Sequence, residues 1–259
     1  MPVMEKLSVV IITFNEEKNI ARCLDSVKKV ADEIIVLDSG SADKTVSIAK
    51  EKGAAVQVLP FAGFTEQKNK ALEFTTYNYI LSLDADEALD SKLEASILQA
   101  KENFTFSAYS MNRCTNYCGK FIRHGNWYPD RKLRLFDKRT ARWAGNLIHE
   151  KVELLSPGSS TIQQLKGDLL HYSYYSVDEH FSRIEQYSSL SAQDYFKKGK
   201  WAGWFHLLVN PAWTFFSGYI LRLGFLDGRA GFVIARITAI ETYKKYNKLR
   251  ILRKEVESA

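Results

Sequence analysis

The first apolar stretch of the chain, LSVVIITFNEE, is a nearly continuous β-branched run that stops at a polar turn. That pattern predicts a strand buried on both faces of a parallel sheet. EEKNIARCLDSVKKV follows with apolar residues at Ile20, Cys23, Leu24 and Val27, the period of a helix. The scheme then repeats: a strand at Ile34–Leu37, a turn, a helix from about Asp43, a strand at Ala55–Leu59, a helix over Glu66–Phe74 and a strand at Tyr79–Leu83. Strand and helix in alternation predict an α/β class, a Rossmann-like, mostly parallel sheet flanked by helices, with ligands beyond the carboxyl ends of its strands. After a helix near Ser91–Asn103 the pattern turns to strands at Ala108–Cys114 and Lys132–Asp137, then WAGNLIHEKVELL and a helix over Gln186–Phe196. From Trp201 to Leu221 there is no Lys, Arg, Asp or Glu, and Lys200 and Arg222 bracket the stretch. The expected organisation is a body over residues 1–195 and a helical extension over 196–259.

Three polar clusters follow the expected strands: Thr13-Phe14-Asn15-Glu16, Asp38-Ser39-Gly40-Ser41 and Asp84-Ala85-Asp86. Equivalent positions in the topology imply one shared crevice. Two carboxylates one residue apart at a strand exit can converge on a hard cation that keeps positions open for phosphate and water. The alternative is a turn that caps the helix beginning near Asp90. The chain has neither GxxxxGK[ST] nor GxGxxG, which excludes a P-loop or a dinucleotide fingerprint.

Charge divides the chain. Its net charge is +6, yet residues 1–195 hold 24 Lys/Arg against 26 Asp/Glu and residues 196–259 hold 12 against 4. A neutral body with a basic, aromatic end suits an anionic membrane surface better than nucleic acid, which is not an expected partner. Asn210-Pro211 in the middle of the uncharged stretch, with His206, Ser217 and Gly218, argues against a simple spanning helix. Broken amphipathic helices in the membrane interface, with Trp201, Trp204, Trp213 and Tyr219 at headgroup depth, are expected there; a spanning or re-entrant segment and a helical cover or oligomer contact are the alternatives. Cys23, Cys114 and Cys118 fit neither a full set of disulfides nor a zinc site, and Leu7–Ile12 is too short for a signal sequence. Both features suit a cytosolic setting.

LSVVIITFNEE, IIVLDSGSADKT, GFTEQKNKAL and YILSLDADE, in that order and spacing, resemble the family 2 glycosyltransferases of the GT-A fold. WYPDRKLRLFD, NLIHEKVEL and FLDGRAGFVIARITAIETYKKY extend the resemblance to bacterial enzymes that add a hexose, typically glucose, to the lipopolysaccharide core. The resemblance implies inverting transfer from a nucleoside-diphosphate sugar such as UDP-glucose, with Mg²⁺ or Mn²⁺ at the aspartate motif. By position, Thr13, Asn15 and Glu16 would line the nucleotide site, Asp38 would contact uracil or ribose, and Lys68 would lie near the base and diphosphate, a solvated helix charge being the alternative. Asp84 would face ribose and metal, Asp86 would be the principal metal ligand, and His171 resembles a late histidine that holds the metal or touches the diphosphate, a buried structural histidine being the alternative. Only one aspartate follows the second strand where the family often has two. Inversion needs a base opposite the leaving diphosphate. Glu150, in IHEKV, matches the family's base position, with His149 beside it to tune or share its role; Asp130 is the rival. Arg131 and Arg134, with Trp127, would hold an anionic acceptor or the diphosphate, or else belong to a solvated edge strand. Glu87 is assigned to a turn without a direct role. The resemblance thus implies an enzyme at the cytoplasmic face of a bacterial inner membrane that glycosylates a lipid-linked glycan. The alternatives are transfer to polyprenyl phosphate and a noncatalytic nucleotide-binding module; a homo-oligomer is left open.

Overall fold

The computed structural model describes residues 5–145, 150–155 and 162–257. In chain order the elements are β1 (Leu7–Thr13), α1 (Ile20–Val27), β2 (Glu33–Asp38), α2 (Thr45–Glu51), β3 (Ala55–Val58), α3 (Phe64–Glu73), β4 (Tyr79–Asp84), β5 (Glu87–Leu89) and α4 (Ser91–Glu102). There follow β6 (Ala108–Tyr117), β7 (Lys120–Phe121), β8 (Asp130–Asp137), β9 (Ala141–Ala144), β10 (Lys151–Leu154), β11 (Ile162–Tyr174), α5 (Val177–Lys197), α6 (Trp204–Phe216) and α7 (Gly228–Glu257). Two compact units divide the chain: Met1–Arg113 with Asp130–Tyr172, and Cys114–Pro129 with Ser173–Ala259.

The described strands form a mixed α/β sheet in the order β3-β2-β1-β4-β8-β6-β11-β5, with β7 on β6 and a separate β9–β10 hairpin. The expected parallel pairing holds across β3, β2, β1 and β4; the β4–β8, β8–β6 and β11–β5 pairs are antiparallel, where the strand-helix alternation of the sequence ends. β1 lies at the middle of the parallel half, and its side chains alternate between two cores. Val9 and Ile11 pack with Leu81, Leu83 and the α1 residues Ile20, Cys23, Leu24 and Val27. Val10 and Ile12 pack with Ile35, Leu37, Ile80 and the α3 residues Ala71 and Leu72. A strand covered on both faces cannot carry an alternating polar pattern, which is why LSVVIIT is apolar throughout. Each such Val, Leu or Ile contributes about 1.5–3 kcal/mol through burial. The rigid result delivers the ends of β1, β2 and β4 side by side.

In the second unit α5 and α6 both pack on α7. Close backbone approach shapes this packing: a Cβ on Gly231 would lie 1.9 Å from the Gly224 carbonyl oxygen, and one on Gly224 would lie 2.6 Å from the Gly218 carbonyl oxygen, which accounts for these two glycines of GFLDGRAGF. Helix α5 begins nine residues earlier than the apolar period suggests, because Ser176 caps it by accepting from the Glu179 amide at 3.1 Å while Glu179 Oε2 accepts from the Tyr175 amide at 2.9 Å. Helix α6 runs through Pro211 and gives way to a π-type turn at Ser217–Leu221. Among the described residues no helix is long and apolar enough to cross a membrane.

Candidate active site

The loops after β1 and β2 are laced together. The Asn15 amide donates to Ser41 Oγ at 2.8 Å, Asn15 Oδ1 accepts from the Ala42 amide at 2.9 Å, and the Glu16 amide donates to Thr45 Oγ1 at 2.8 Å. Asn15 reaches this position with φ at 53°, a left-handed conformation that asparagine tolerates better than most residues. Asp38 is fully buried, and its Oδ1 accepts from the amides of Gly40 and Ser41 at 2.9 and 2.8 Å. Its carboxylate therefore organises its own loop, and Ser39, next in the chain, is the residue that α3 meets. Thr13 Oγ1, at the exit of β1, is buried without a hydrogen-bond partner among the described residues.

The sequence QKN on α3 ties three parts of the site together. Gln67 Nε2 donates to Ser39 Oγ at 3.2 Å. Asn69 exchanges two hydrogen bonds with the Trp143 backbone, at 2.9 and 3.1 Å, which clamps the β9–β10 hairpin, whose second strand Glu150 directly precedes. Lys68 lies between them with a side chain 1% exposed. Its Nζ is 3.0 Å from Asp84 Oδ1, 3.3 Å from Glu150 Oε1 and 4.3 Å from the centre of the Trp143 ring. The resemblance places Lys68 near the base and diphosphate; its buried ammonium faces two carboxylates 66 residues apart.

A second cation fixes the other side of Asp84. Arg134 Nη2 is 2.8 Å from both Asp84 Oδ2 and Glu87 Oε1. The sequence offers Arg134 to an acceptor or diphosphate, or else to a solvated edge strand; at 4% exposed and paired with these carboxylates it is not a solvated charge. Glu87, assigned to a turn by sequence, is the first residue of β5 and fully buried. Its Oε2 accepts from the Asp84 amide at 3.0 Å, and Arg113 approaches its Oε1 at 3.8 Å. A charged group with no solvent has to be matched by opposite charge, so Glu87 pins both ends of the aspartate turn. Burial alone would raise the Asp84 carboxyl, but Arg134 and Lys68 outweigh it and hold the group well below the usual carboxylate range. The same pairing with Glu87 and Asp84 raises Arg134 against the effect of its burial.

Asp86 takes a different partner. The Tyr172 amide donates to its carbonyl at 2.9 Å, and β5 pairs with β11 so that Glu87 lies opposite His171. This register brings His171 Nε2 to 3.2 Å from Asp86 Oδ2. A carboxylate and an imidazole are donors that Mn²⁺ or Mg²⁺ can use, and Asp84 Oδ1, whose partner among the described residues is Lys68, is a further oxygen of the same turn. Among the described residues no three His, Cys, Asp or Glu side chains gather closely enough to hold a metal by themselves. The donor set fits a cation completed by diphosphate oxygens and water. The rival base Asp130 is held by Arg113 at 2.8 Å and Lys132 at 3.0 Å, while Arg131 beside it is exposed. Trp127 stacks on Tyr174 at 5.4 Å. His149 lies outside the described residues.

Sequence reasoning gave Glu87 no direct role and passed over Arg113, Gln67 and Trp143; none of the four carries a local mark in the sequence.

A model of glycosyl transferase family 2 matches residues 8–157. An uncharacterized glycosyltransferase of Rickettsia felis is 35% identical over 95% of this chain and 90% of its own length. The lipopolysaccharide core biosynthesis glycosyltransferase LpsC of Rhizobium meliloti is 28% identical over 93% of both chains. Of solved structures, glucosyl-3-phosphoglycerate synthase of Mycobacterium tuberculosis, in complex with Mn²⁺, UDP and glucosyl-3-phosphoglycerate, is 25% identical with a TM-score of 0.37, over 43% of this chain and 44% of that one.

Proposed function

Because the chain belongs to glycosyltransferase family 2, we propose that this enzyme transfers glucose from UDP-glucose, with inversion, to a lipid-linked glycan of the lipopolysaccharide-core kind, at the cytoplasmic face of a bacterial inner membrane. The similarity to LpsC over nearly the whole chain supports the acceptor class. The observation that carries the reading is the Lys68 ammonium held between Asp84 of the strand-end motif and Glu150, at 3.0 and 3.3 Å. It joins the carboxylate turn suited to a donor diphosphate to the one carboxylate that the family resemblance assigns to the acceptor.

In this reading Glu150 accepts the proton of the acceptor hydroxyl as that oxygen bonds to the anomeric carbon. The bond from that carbon to the diphosphate breaks, and the diphosphate departs with the electron pair. Lys68 orients Glu150 and keeps it from swinging toward solvent. Asp86 and His171 would hold a divalent cation, which neutralises charge on the leaving diphosphate when bound. Thr13 Oγ1 and the laced loops after β1 and β2 offer polar groups to the nucleoside.

The test is transfer of labelled glucose from UDP-glucose to deep-rough lipopolysaccharide. Chelation with EDTA should abolish transfer and Mn²⁺ restore it, and Glu150→Gln should lower turnover by about 10²–10⁴-fold with UDP binding retained. Transfer indifferent to EDTA and to Asp86→Ala would overturn the metal-dependent reading. Transfer to bare polyprenyl phosphate, with none to the glycan, would replace the acceptor.

A further inference from the structure

Helix α6 carries an open apolar face. Trp204, Phe205, Leu208 and Trp213 are 68%, 67%, 68% and 57% exposed, and Val209 and Phe216 are exposed beside them. These positions recur at the spacing of one helical face, and Leu207, on the other side, is buried in the unit that α6 forms with α7. Scattered exposed apolar residues are ordinary, but a contiguous aromatic strip without a charged residue marks a surface that meets something.

The rim of the strip identifies its occupant. Arg250 stacks on Trp204 with Cζ 4.0 Å from the ring centre, Lys200 precedes the uncharged stretch, and the exposed Arg222 follows it. Residues 196–259 hold 12 Lys/Arg against 4 Asp/Glu, and one of those acids, Asp227, is buried against His124. A second copy docked face to face would bring these cations against one another. An anionic bilayer accepts both features: aromatic rings at headgroup depth and cations among the lipid phosphates. At about 1.5 Å per residue, the 13 residues of α6 cover only part of a hydrocarbon core roughly 30 Å thick.

We propose that this face of α6 is an in-plane anchor that seats the chain on an anionic phospholipid surface, with Trp204, Phe205, Leu208 and Trp213 immersed to headgroup depth and Lys200, Arg222 and Arg250 on the lipid phosphates. The proposal extends the function above, which places the acceptor in a membrane, but its test needs no sugar transfer. The full chain is sedimented with vesicles of mixed phosphatidylglycerol and phosphatidylcholine, and with phosphatidylcholine alone. Binding should favour the anionic vesicles by about tenfold or more and weaken with added salt. The triple variant Trp204→Ser/Leu208→Ser/Trp213→Ser should lose that binding while keeping the circular dichroism spectrum and melting temperature of the parent, since these side chains are already in solvent. Equal binding of parent and triple variant would overturn the proposal. So would a parent that is dimeric without lipid and becomes monomeric in the triple variant, which would assign the face to a second copy.

Discussion

At Lys68 the ammonium group has nearly lost contact with water, and two carboxylates replace it. Lys68→Met should therefore act twice: turnover should fall at least as far as in a variant with a displaced base, and chemical denaturation should show a loss of about 2–4 kcal/mol. That is below the full cost of a broken buried pair because Asp84 and Glu150 are 27% and 25% exposed. Arg134→Met leaves the fully buried Glu87 with only the longer contact to Arg113 at 3.8 Å as a charge partner, and a loss of about 3–5 kcal/mol is expected in the same measurement. At this scale Asp84, Asp86, Lys68, His171 and Glu150 were each singled out by residue type at an expected strand end or in a family motif. The partners that hold them were not legible: the Lys68 pairing to Glu150 spans 82 residues and the Arg134 pairing to Asp84 spans 50, and neither side chain's own neighbourhood in the sequence reports what faces it.

Among the elements, α5 and the glycine contacts of the second unit offer separate tests. His180 on α5 is buried against Tyr117, Trp127 and Tyr174, with Nδ1 3.1 Å from the Tyr117 hydroxyl. Burial, assisted by Arg183, pulls its pKa down from 6.5 to about 4. Between those values the unfolded chain carries the proton and the folded chain does not, so stability must fall as pH drops from 6.5 toward 4. Melting temperatures across that window should show the decline, and His180→Phe should flatten its contribution. Gly231→Ala would force a Cβ to 1.9 Å from the Gly224 carbonyl, so a drop of several degrees in melting temperature is expected, as overpacking typically costs about 1–3 kcal/mol. The first-half strands and helices were legible because hydrophobic period is a local property. The start of α5 was missed because apolar period alone was consulted there; the Ser176 and Glu179 cap was visible in YSVDE as S-x-x-E.

For the whole molecule, binding of UDP with Mn²⁺ should stabilise the folded chain by about 2.7 kcal/mol at roughly 100 times the dissociation constant, read as a rise of melting temperature that EDTA removes. Asp86→Ala should reduce the metal-dependent part of that rise and leave the fold intact, because Asp86 is paired with His171 at the edge of the charge network and not within it. By itself the sequence determined the α/β class, the strand ends at Thr13, Asp38 and Asp84, the Asp84-Ala85-Asp86 turn and the basic, aromatic end of the chain. Each of these is written in the order or spacing of nearby residues. Only the tertiary structure decided that Asp38 serves its own loop, that Glu87 and Arg134 lock the turn, that β11 sets His171 against Asp86, and that Lys68 joins Asp84 to Glu150. Those contacts arise where α3, β4, β5, β8, β11 and the approach to β10 meet, and buried charges there can be stable only in the combination that the packing brings together.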